Sequence, residues 1–199
     1  MKYPSTISNL IECFKKFPSV GEKSAERMAL ATLDFDEEIL NLFSESLSNV
    51  KTKIKRCTEC NNLSEDDLCE ICKSKDRNKK IICVVEEPKN VILFEKIGTF
   101  NGLYHVLDGL ISPLDNVNPE DINIDKLISR IKENEIEEVI LAVKPSVEGE
   151  TTSLYISKLL EDKNVKVSKI AHGVPLGVDM EYIDAMTLEM ALDDRIKIS

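Results

Sequence analysis

Four cysteines within residues 57–72 restrict the fold of this chain more than any other feature. Cys57, Cys60, Cys69 and Cys72 follow the spacing C-x2-C-x8-C-x2-C. Two residues between cysteines form a tight turn whose thiolates can bind one tetrahedral metal ion, and two such turns complete a shell of four sulfur ligands. We therefore predict one structural Zn²⁺ per chain, because a closed shell leaves no position at which the metal could activate water.

Disulfides and a redox pair are the alternatives for these cysteines. The chain has no apolar run long enough for a membrane span and no signal-peptide pattern at its start, so we expect a cytoplasmic protein without membrane association. Paired cysteines in that reducing compartment are more often metal ligands than disulfides. A redox site needs a single C-x-x-C motif, and here there are two. Cys13 and Cys83 lie in apolar stretches and are expected to be buried.

The charge of the chain is distributed unevenly. The net charge is −10, yet residues 1–80 carry 14 Lys and Arg against 14 Asp and Glu, whereas residues 81–199 carry 12 against 22. A nucleic-acid-binding face, if the chain has one, should therefore lie in the first 80 residues. Basic residues flank the cysteines and could form a solvated surface or contact a polyanion: Lys51, Lys53, Lys55, Arg56, Lys73, Lys75, Arg77, Lys79 and Lys80.

Two short amphipathic helices are predicted before the cysteines. The first has apolar residues at the spacing of one helix face: Ile7, Leu10, Ile11 and Phe14. Residues 17–21, Phe-Pro-Ser-Val-Gly, should end it, because proline cannot continue a helix and glycine permits a positive φ in a tight turn. Four residues of the second helix are expected to face inward: Ala25, Met28, Ala29 and Leu33.

Helices joined by a P-x-V-G turn resemble the helix-hairpin-helix motif, in which N–H groups of the turn and of the next helix contact DNA phosphates. Lys23 and Arg27 would share one face beside this turn. A plain αα-hairpin with solvated cations is equally compatible with the spacing. A third helix should follow Asp36, which can cap it, with one apolar face: Ile39, Phe43, Leu47 and Val50.

The pattern from residue 81 onward alternates between strands and helices, which indicates right-handed crossovers onto a mainly parallel sheet. The predicted strands are IICVV, LYHVL, EVILAV and VKVSKIA, and the predicted helices are PKNVILFEKIG, PEDINIDKLISRIKEN and TTSLYISKLLED. Ligand groups in such sheets collect at the carboxyl ends of the strands.

Acidic residues follow two of these strands. Glu86 and Glu87 end the first strand, and Glu148-Gly149-Glu150 is expected in the loop after EVILAV. The arrangement resembles the Toprim fold, in which such acids bind Mg²⁺ for phosphoryl transfer; alternatively they are solvated, or they form a protein-docking surface. Glutamates stand where that fold usually has D-x-D, so the longer side chains need not converge on one ion. His105 and His172 are isolated and indicate packing more than ligation.

The order of these modules resembles the RecR family of bacterial recombination mediators over essentially the whole chain. The likeness includes four segments of the second half: ICVVEEP, YHVLDGLISPL, PSVEGETTSLYI and IAHGVPLGVDMEYIDAMTL. It implies an α+β chain of four modules: a helix-hairpin-helix region at 1–53, a zinc finger at 54–78, a Toprim-like α/β domain at 79–175 and a C-terminal helical assembly segment at 176–199.

The resemblance also implies a function. Members of the family bind single- and double-stranded DNA without sequence preference, form ring-like tetramers through N-terminal and C-terminal contacts, and act near the nucleoid. With RecO, and in some bacteria RecF, they help RecA replace single-strand-binding protein. The family's basic pair falls on Lys23 and Arg27. Its acidic positions fall on Glu86, Glu148 and Glu150, which are associated with docking RecO more than with catalysis.

We therefore expect a protein without enzymatic activity, and keep as the alternative a Toprim nuclease or primase-like enzyme that uses the three glutamates with Mg²⁺. Four positions depart from the family pattern and weaken any role for Mg²⁺: Asn90 for the common aspartate, Lys144 and Ser146 within the usual N-P-T, and Val178 for a second glycine. An ATPase is excluded because the chain lacks a G-x-x-x-x-G-K-[ST] loop.

Overall fold

The computed structural model describes residues 3–171 and 173–195. The chain divides into two compact units, Met1–Ile54 and Lys55–Ser199. The predicted fold class is confirmed: helices come first, then the cysteine module, then a parallel sheet with helices, then a C-terminal helix. The finer module boundaries at residues 53, 78 and 175 stay predictions. No helix in the described part of the chain is long and apolar enough to cross a membrane.

The first unit contains three α-helices. Helices α1 (Ser5–Phe14) and α2 (Glu22–Ala31) are followed by a 3₁₀ turn and by α3 (Glu37–Lys53). The small core of this unit consists of four buried residues, Ile11, Phe14, Ala25 and Ala29. Because both alanines have only a methyl side chain and are fully buried, α2 can approach α1 closely.

Three expectations for side chains in this unit were wrong. Met28 is 41% exposed and Leu33 is 68% exposed, because the contact with α1 uses only the narrow Ala25 and Ala29 stripe and Leu33 lies beyond the end of α2, in the 3₁₀ turn. Cys13 is exposed rather than buried, since it lies outside the apolar stripe of α1.

Helix α3 begins after Asp36 as predicted, although no side-chain hydrogen bond caps it. Its predicted apolar face exists but is not covered within this unit. The four residues of that face are between 43% and 64% exposed: Ile39, Phe43, Leu47 and Val50. Contiguous exposed apolar side chains of this kind are typical of an interaction site.

The second unit begins with the cysteine module, in which strands β1 (Lys55–Arg56) and β2 (Leu63–Ser64) pair antiparallel and precede the single helical turn α4 (Glu70–Lys73). A four-stranded sheet follows. Its strands are β3 (Ile81–Val85), β4 (Leu103–Val106), β5 (Glu138–Ala142) and β6 (Lys166–Lys169). The order across the sheet is β4-β3-β5-β6, and all neighbours are parallel, as predicted.

The helices of this unit are α5 (Pro88–Ile97), α6 (Ile124–Glu133), α7 (Val147–Leu160) and α8 (Ala185–Asp193). Two boundaries differ from the prediction. The segment before α6 forms only a 3₁₀ turn, Pro119–Asp121, because Asn118 and Asp121 satisfy each other's backbone N–H groups. Helix α7 begins four residues earlier than predicted, since the Ser146 side chain accepts a hydrogen bond from the Gly149 N–H and caps it.

Candidate metal centre and nucleic-acid interface

The four cysteines of the second unit lie close together and are buried. Their sulfur atoms are all within 4.8 Å of one another, and the Cys60 and Cys69 sulfurs are 3.5 Å apart. A tetrahedral zinc with Zn–S bonds of about 2.3 Å separates its sulfurs by roughly 3.8 Å. The cluster therefore fits the predicted single Zn²⁺, and the prediction of a structural zinc is confirmed.

Local backbone geometry brings the two cysteine pairs together. Asn61 has a positive φ of 62°, which lets the chain turn back so that the Asn61 N–H donates to the Cys57 carbonyl at 3.0 Å. The Cys69 N–H points at the Cys57 sulfur, 3.3 Å away. The first contact closes the tight turn, and the second directs a backbone N–H at a sulfur, as is expected of C-x-x-C metal loops.

The ionisation of these thiols requires a cation. The Cys60 and Cys72 thiols hydrogen-bond to Cys69 and lower the pKa of Cys69, while the pKa values of Cys60 and Cys72 are raised in turn. One thiolate is thus stabilised at the expense of its neighbours, since like charges this close cannot all form alone. Zn²⁺ supplies the charge that lets all four ionise. Cys83, by contrast, is buried in β3, and desolvation raises the pKa of its thiol to about 12, which makes it inert.

The cysteine module is joined to the sheet by direct contacts. The Val106 N–H at the end of β4 donates to the Cys60 carbonyl at 2.8 Å, and the Asn61 side chain donates to the Val106 carbonyl at 3.2 Å. Arg56 forms an ion pair with Asp108, in which its Nη2 donates to both carboxylate oxygens, at 2.8 and 2.9 Å. Sequence reasoning missed these contacts; the signal available was the D-G pair after LYHVL, since Asp108 has a φ of 68° and lies in the turn that follows the strand.

The hairpin turn of the first unit differs from the prediction in one respect. The Val20 N–H donates to the Phe17 carbonyl, and the positive φ of 65° falls on Ser19, the third residue of that turn. Gly21 instead has a φ of −85°, and a Cβ built there would meet nothing within 4 Å. Gly21 therefore leaves the backbone at the start of α2 open to approach from outside.

Lys23 and Arg27 are exposed on α2, and within the described residues neither makes an ion pair or a side-chain hydrogen bond. The nearby Lys15 is different, because it pairs with both Glu12 and Glu22 at 2.8 Å. The two predicted DNA-binding cations are therefore not neutralised by acids of this unit.

Most of the basic residues beside the cysteines are neutralised. Five form ion pairs with acids of the same unit: Lys55 with Asp67, Arg56 with Asp108, Lys73 with Asp66, Arg77 with Glu95, and Lys80 with Glu137. Over the described ranges, the remaining four make no ion pair: Lys51, Lys53, Lys75 and Lys79. Most of the cations that flank the cysteines are thus compensated by acids of the second unit.

The three glutamates each bind a different neighbour. Glu86 lies 3.5 Å from the Lys144 ammonium, Glu148 accepts from Ser146 at 2.7 Å, and Glu150 pairs with Lys169 at 3.0 Å. The Ser146 hydrogen bond lowers the pKa of Glu148.

The expected loop position of Glu148 and Glu150 was wrong, because both lie in the first turn of α7. Gly149 between them is buried, and a Cβ there would overlap the Lys144 carbonyl oxygen, so only glycine lets α7 begin against the end of β5. Among residues 3–171 and 173–195, the cysteines are the one group of three or more candidate ligands close enough to share a metal ion.

His105 is fully buried in β4, with its Nε2 atom 2.8 Å from the Asn123 carbonyl oxygen. Burial lowers its pKa to about 4, so the ring is neutral at physiological pH. The packing role predicted for His105 agrees with this environment. His172 lies outside the described residues.

Comparison with known protein families accounts for nearly the whole chain. Residues 7–51 match the model for the RecR helix-hairpin-helix, residues 54–74 the RecR four-cysteine zinc finger domain, residues 80–171 the Toprim domain, and residues 173–196 the RecR C-terminal region. The matches occur in the predicted order, and the zinc-finger match contains the four clustered cysteines. The chain therefore belongs to the RecR family.

Proposed function

We propose that this protein is a non-catalytic recombination mediator that binds DNA without sequence preference and, with RecO and in some pathways RecF, helps RecA load onto DNA covered by single-strand-binding protein. The observation that carries this proposal is the succession of RecR-type modules along one chain. The closed four-thiolate shell supports it, because that metal site builds a scaffold and cannot activate water.

DNA contact is assigned to the turn and first residues of α2. Lys23 and Arg27 lie one helical turn apart, are exposed and lack acidic partners in the described residues, so both charges are available to phosphates. The open backbone at Gly21 allows a phosphate to approach the free N–H groups that begin α2. Both features recognise phosphates rather than bases, which explains binding without sequence preference.

Assembly into a ring-like homotetramer is assigned to two exposed apolar surfaces. One is the α3 face, Ile39, Phe43, Leu47 and Val50, and the other is formed by apolar residues of the C-terminal segment: Leu176, Val178, Met180, Tyr182, Met186 and Leu192. A ring solves an electrostatic problem, because a chain of net charge −10 is repelled by DNA. Several basic hairpins acting together compensate through multivalency.

The acidic start of α7 is assigned to docking a basic partner protein, RecO. Glu148 and Glu150 project from the first turn of α7 and are bound by single neighbours rather than by a shared metal ligand set. A basic partner would add its charges to this surface and would also offset the acidic character of the second half of the chain.

A metal-dependent nuclease or primase-like activity is the second candidate, favoured by the Toprim match over residues 80–171. The two proposals separate in one set of assays. Purified protein is added with RecO to gapped DNA coated by single-strand-binding protein, and RecA assembly is followed by fluorescence; in parallel, labelled single-stranded and nicked DNA are incubated with the protein and Mg²⁺ or Mn²⁺.

A mediator accelerates RecA assembly only when RecO is present and leaves the labelled DNA intact. Cleavage or primer synthesis that requires the divalent ion and is lost in Glu86→Gln, without any effect on RecA assembly, would instead establish the enzyme. Failure of both assays would reject both proposals while leaving the zinc site unaffected.

A further inference from the structure

Arg130 is a buried charge that the proposed function does not use. It is 6% exposed and lies on α6 between Leu127 and Ile131, both of which belong to the main hydrophobic core of the second unit. Charged side chains are almost never this buried unless an opposite charge compensates them. A compensating negative charge is therefore expected close to the Arg130 guanidinium.

The guanidinium of Arg130 makes three contacts. Its Nη1 donates to the Tyr104 carbonyl at 2.6 Å, its Nη2 donates to the Cys72 sulfur at 3.7 Å, and the same Nη2 lies 3.8 Å from the Glu59 carboxylate. The carbonyl is neutral and cannot compensate the charge. Glu59 is at the limit of ion-pair distance, and its side chain is half exposed, so solvent screens it.

The Cys72 sulfur belongs to the zinc site. Four thiolates around one Zn²⁺ carry a net charge of −2, and in this protein all four are buried. The buried dianion compensates the charge of the guanidinium beside it, and the guanidinium in turn offsets half of the dianion's charge. An N–H donor to a metal thiolate is the kind of contact that orients and tunes a metal site.

We propose that Arg130 is the counter-cation of the zinc tetrathiolate, a positioning residue that couples metal binding to the order of the α/β domain. Its two donors join the Cys72 ligand to the β4 backbone at Tyr104, so α6 connects the metal site to the sheet. Lys126, one turn earlier on α6, reaches the Cys57 carbonyl at 3.4 Å rather than a sulfur, so Arg130 is the residue of this pair that contacts a ligand atom.

The test compares full-length Arg130→Met and Arg130→Lys proteins with the parent protein. Zinc affinity is measured by competition with a chromophoric chelator, and the metal environment is read from the thiolate-to-metal charge-transfer band of the Co²⁺-substituted protein. Arg130→Met should weaken zinc binding by about 10–100-fold, the usual effect of losing a partner of a metal ligand. The band should move to lower energy, because sulfur lone pairs rise in energy when a donor and a positive charge are removed.

Arg130→Lys keeps the charge but loses the two-donor geometry, so its affinity and band position should lie between those of the parent and Arg130→Met. If Arg130→Met is insoluble, Arg130→Lys decides the question by the same two measurements. Lys126→Met controls for removal of a cation from α6, and Leu127→Ala controls for loss of core packing on the same helix.

The controls should leave the Co²⁺ band in place even where they lower thermal stability. An unshifted band with zinc affinity within twofold of the parent in the Arg130 variants would overturn the proposal. An equal band shift in Leu127→Ala would do so too, since Arg130 would then act only through packing.

Discussion

The cysteine module and the helical hairpin both carry clustered cations, but those cations have opposite surroundings. Beside the cysteines, five of nine basic residues pair with acids of the same unit, and Arg130 contacts the ligand Cys72. On α2, Lys23 and Arg27 have no such partner in the described residues. Cations compensated within the chain stabilise it, whereas uncompensated cations are available for an external polyanion.

Glycines differ between the two regions in the same manner. Gly149 of the second unit is enclosed, and a side chain there would collide with the backbone at Lys144. Gly21 of the hairpin faces open space. One glycine is needed for packing, and the other keeps a surface accessible.

Zinc removal should produce the largest effect. Cys57→Ser, or stripping with a strong chelator, should unfold residues 50–80, because zinc binding supplies about 10–16 kcal/mol to small modules of this kind. Since Val106 is hydrogen-bonded to Cys60, protection at the end of β4 should also fall. Elemental analysis for about one zinc per chain and hydrogen exchange provide the measurements.

The first unit should keep its exchange protection up to residue 49 under the same treatment, because its core contains no metal ligand. Anaerobically purified protein without zinc that is nonetheless fully protected would contradict this prediction.

Lys23→Ala combined with Arg27→Ala should nearly abolish binding to single- and double-stranded DNA. For each phosphate that a subunit no longer neutralises, the slope of log affinity against log salt should become shallower by about 0.7–0.9. The melting temperature should be unchanged, because both side chains are exposed and, within the described residues, unpaired. Fluorescence anisotropy at several salt concentrations is the measurement.

The matched control is Lys75→Ala with Lys79→Ala, which removes two cations that follow the cysteines and make no ion pair in the described ranges. If this control abolishes DNA binding and the hairpin variant does not, the uncompensated cations of α2 are not the DNA contact. The DNA-binding face then lies at the cysteine module.

Glu148→Ala with Glu150→Ala should weaken RecO binding several-fold, and more so at low salt, because the surface contributes by charge attraction. Zinc content and oligomer size should stay the same, since neither residue contacts the cysteines. Calorimetric titration at two salt concentrations, with light scattering as the control for assembly, tests this. Unchanged RecO affinity would remove α7 as the docking surface.

Gly21→Ala and Gly149→Ala form a matched pair of single substitutions with modest expected effects. Gly21→Ala should cost no more than about 1 kcal/mol, the cost of alanine at a helix N-cap, yet it should weaken DNA binding by keeping phosphates from the backbone. Gly149→Ala should cost about 1–3 kcal/mol through overpacking and leave DNA binding by the hairpin intact. Denaturant unfolding measures stability, and fluorescence anisotropy measures DNA binding. Weaker DNA binding in Gly149→Ala than in Gly21→Ala, with the larger loss of stability in Gly21→Ala, would contradict the different roles of the two glycines.

Much of the fold follows from local sequence patterns. The i, i+3, i+4, i+7 spacing of α1, the short apolar strand Ile81–Val85 and the C-x2-C pairs each act over a few residues, so the chain determines them without knowledge of its remote parts. The family resemblance then predicted the module order, and the family matches confirmed it.

Two kinds of feature were not predicted: those whose local signal was overlooked, and those that depend on contacts between remote parts of the chain. Glu148 and Glu150 were expected in a loop because the Ser146 cap was not recognised, although a serine followed by acidic residues in the next turn is a signal for the start of a helix. Arg130 also had a signal, since it interrupts the apolar face of α6 between Leu127 and Ile131. That signal indicates that Arg130 is buried, but it does not identify the Cys72 sulfur as the atom that Arg130 contacts.

Local sequence patterns were therefore sufficient to predict most of the elements, their alternation and the ligands of one metal ion. Which charges are compensated depends on the tertiary fold, because Arg56 meets Asp108 and Arg130 meets Cys72 across 52 and 58 residues of chain. Electrostatic attraction depends on distance in space, and residues this far apart in sequence acquire that distance only when the sheet, α6 and the cysteine module come together. The hairpin cations stay uncompensated because no acid pairs with them within the described residues.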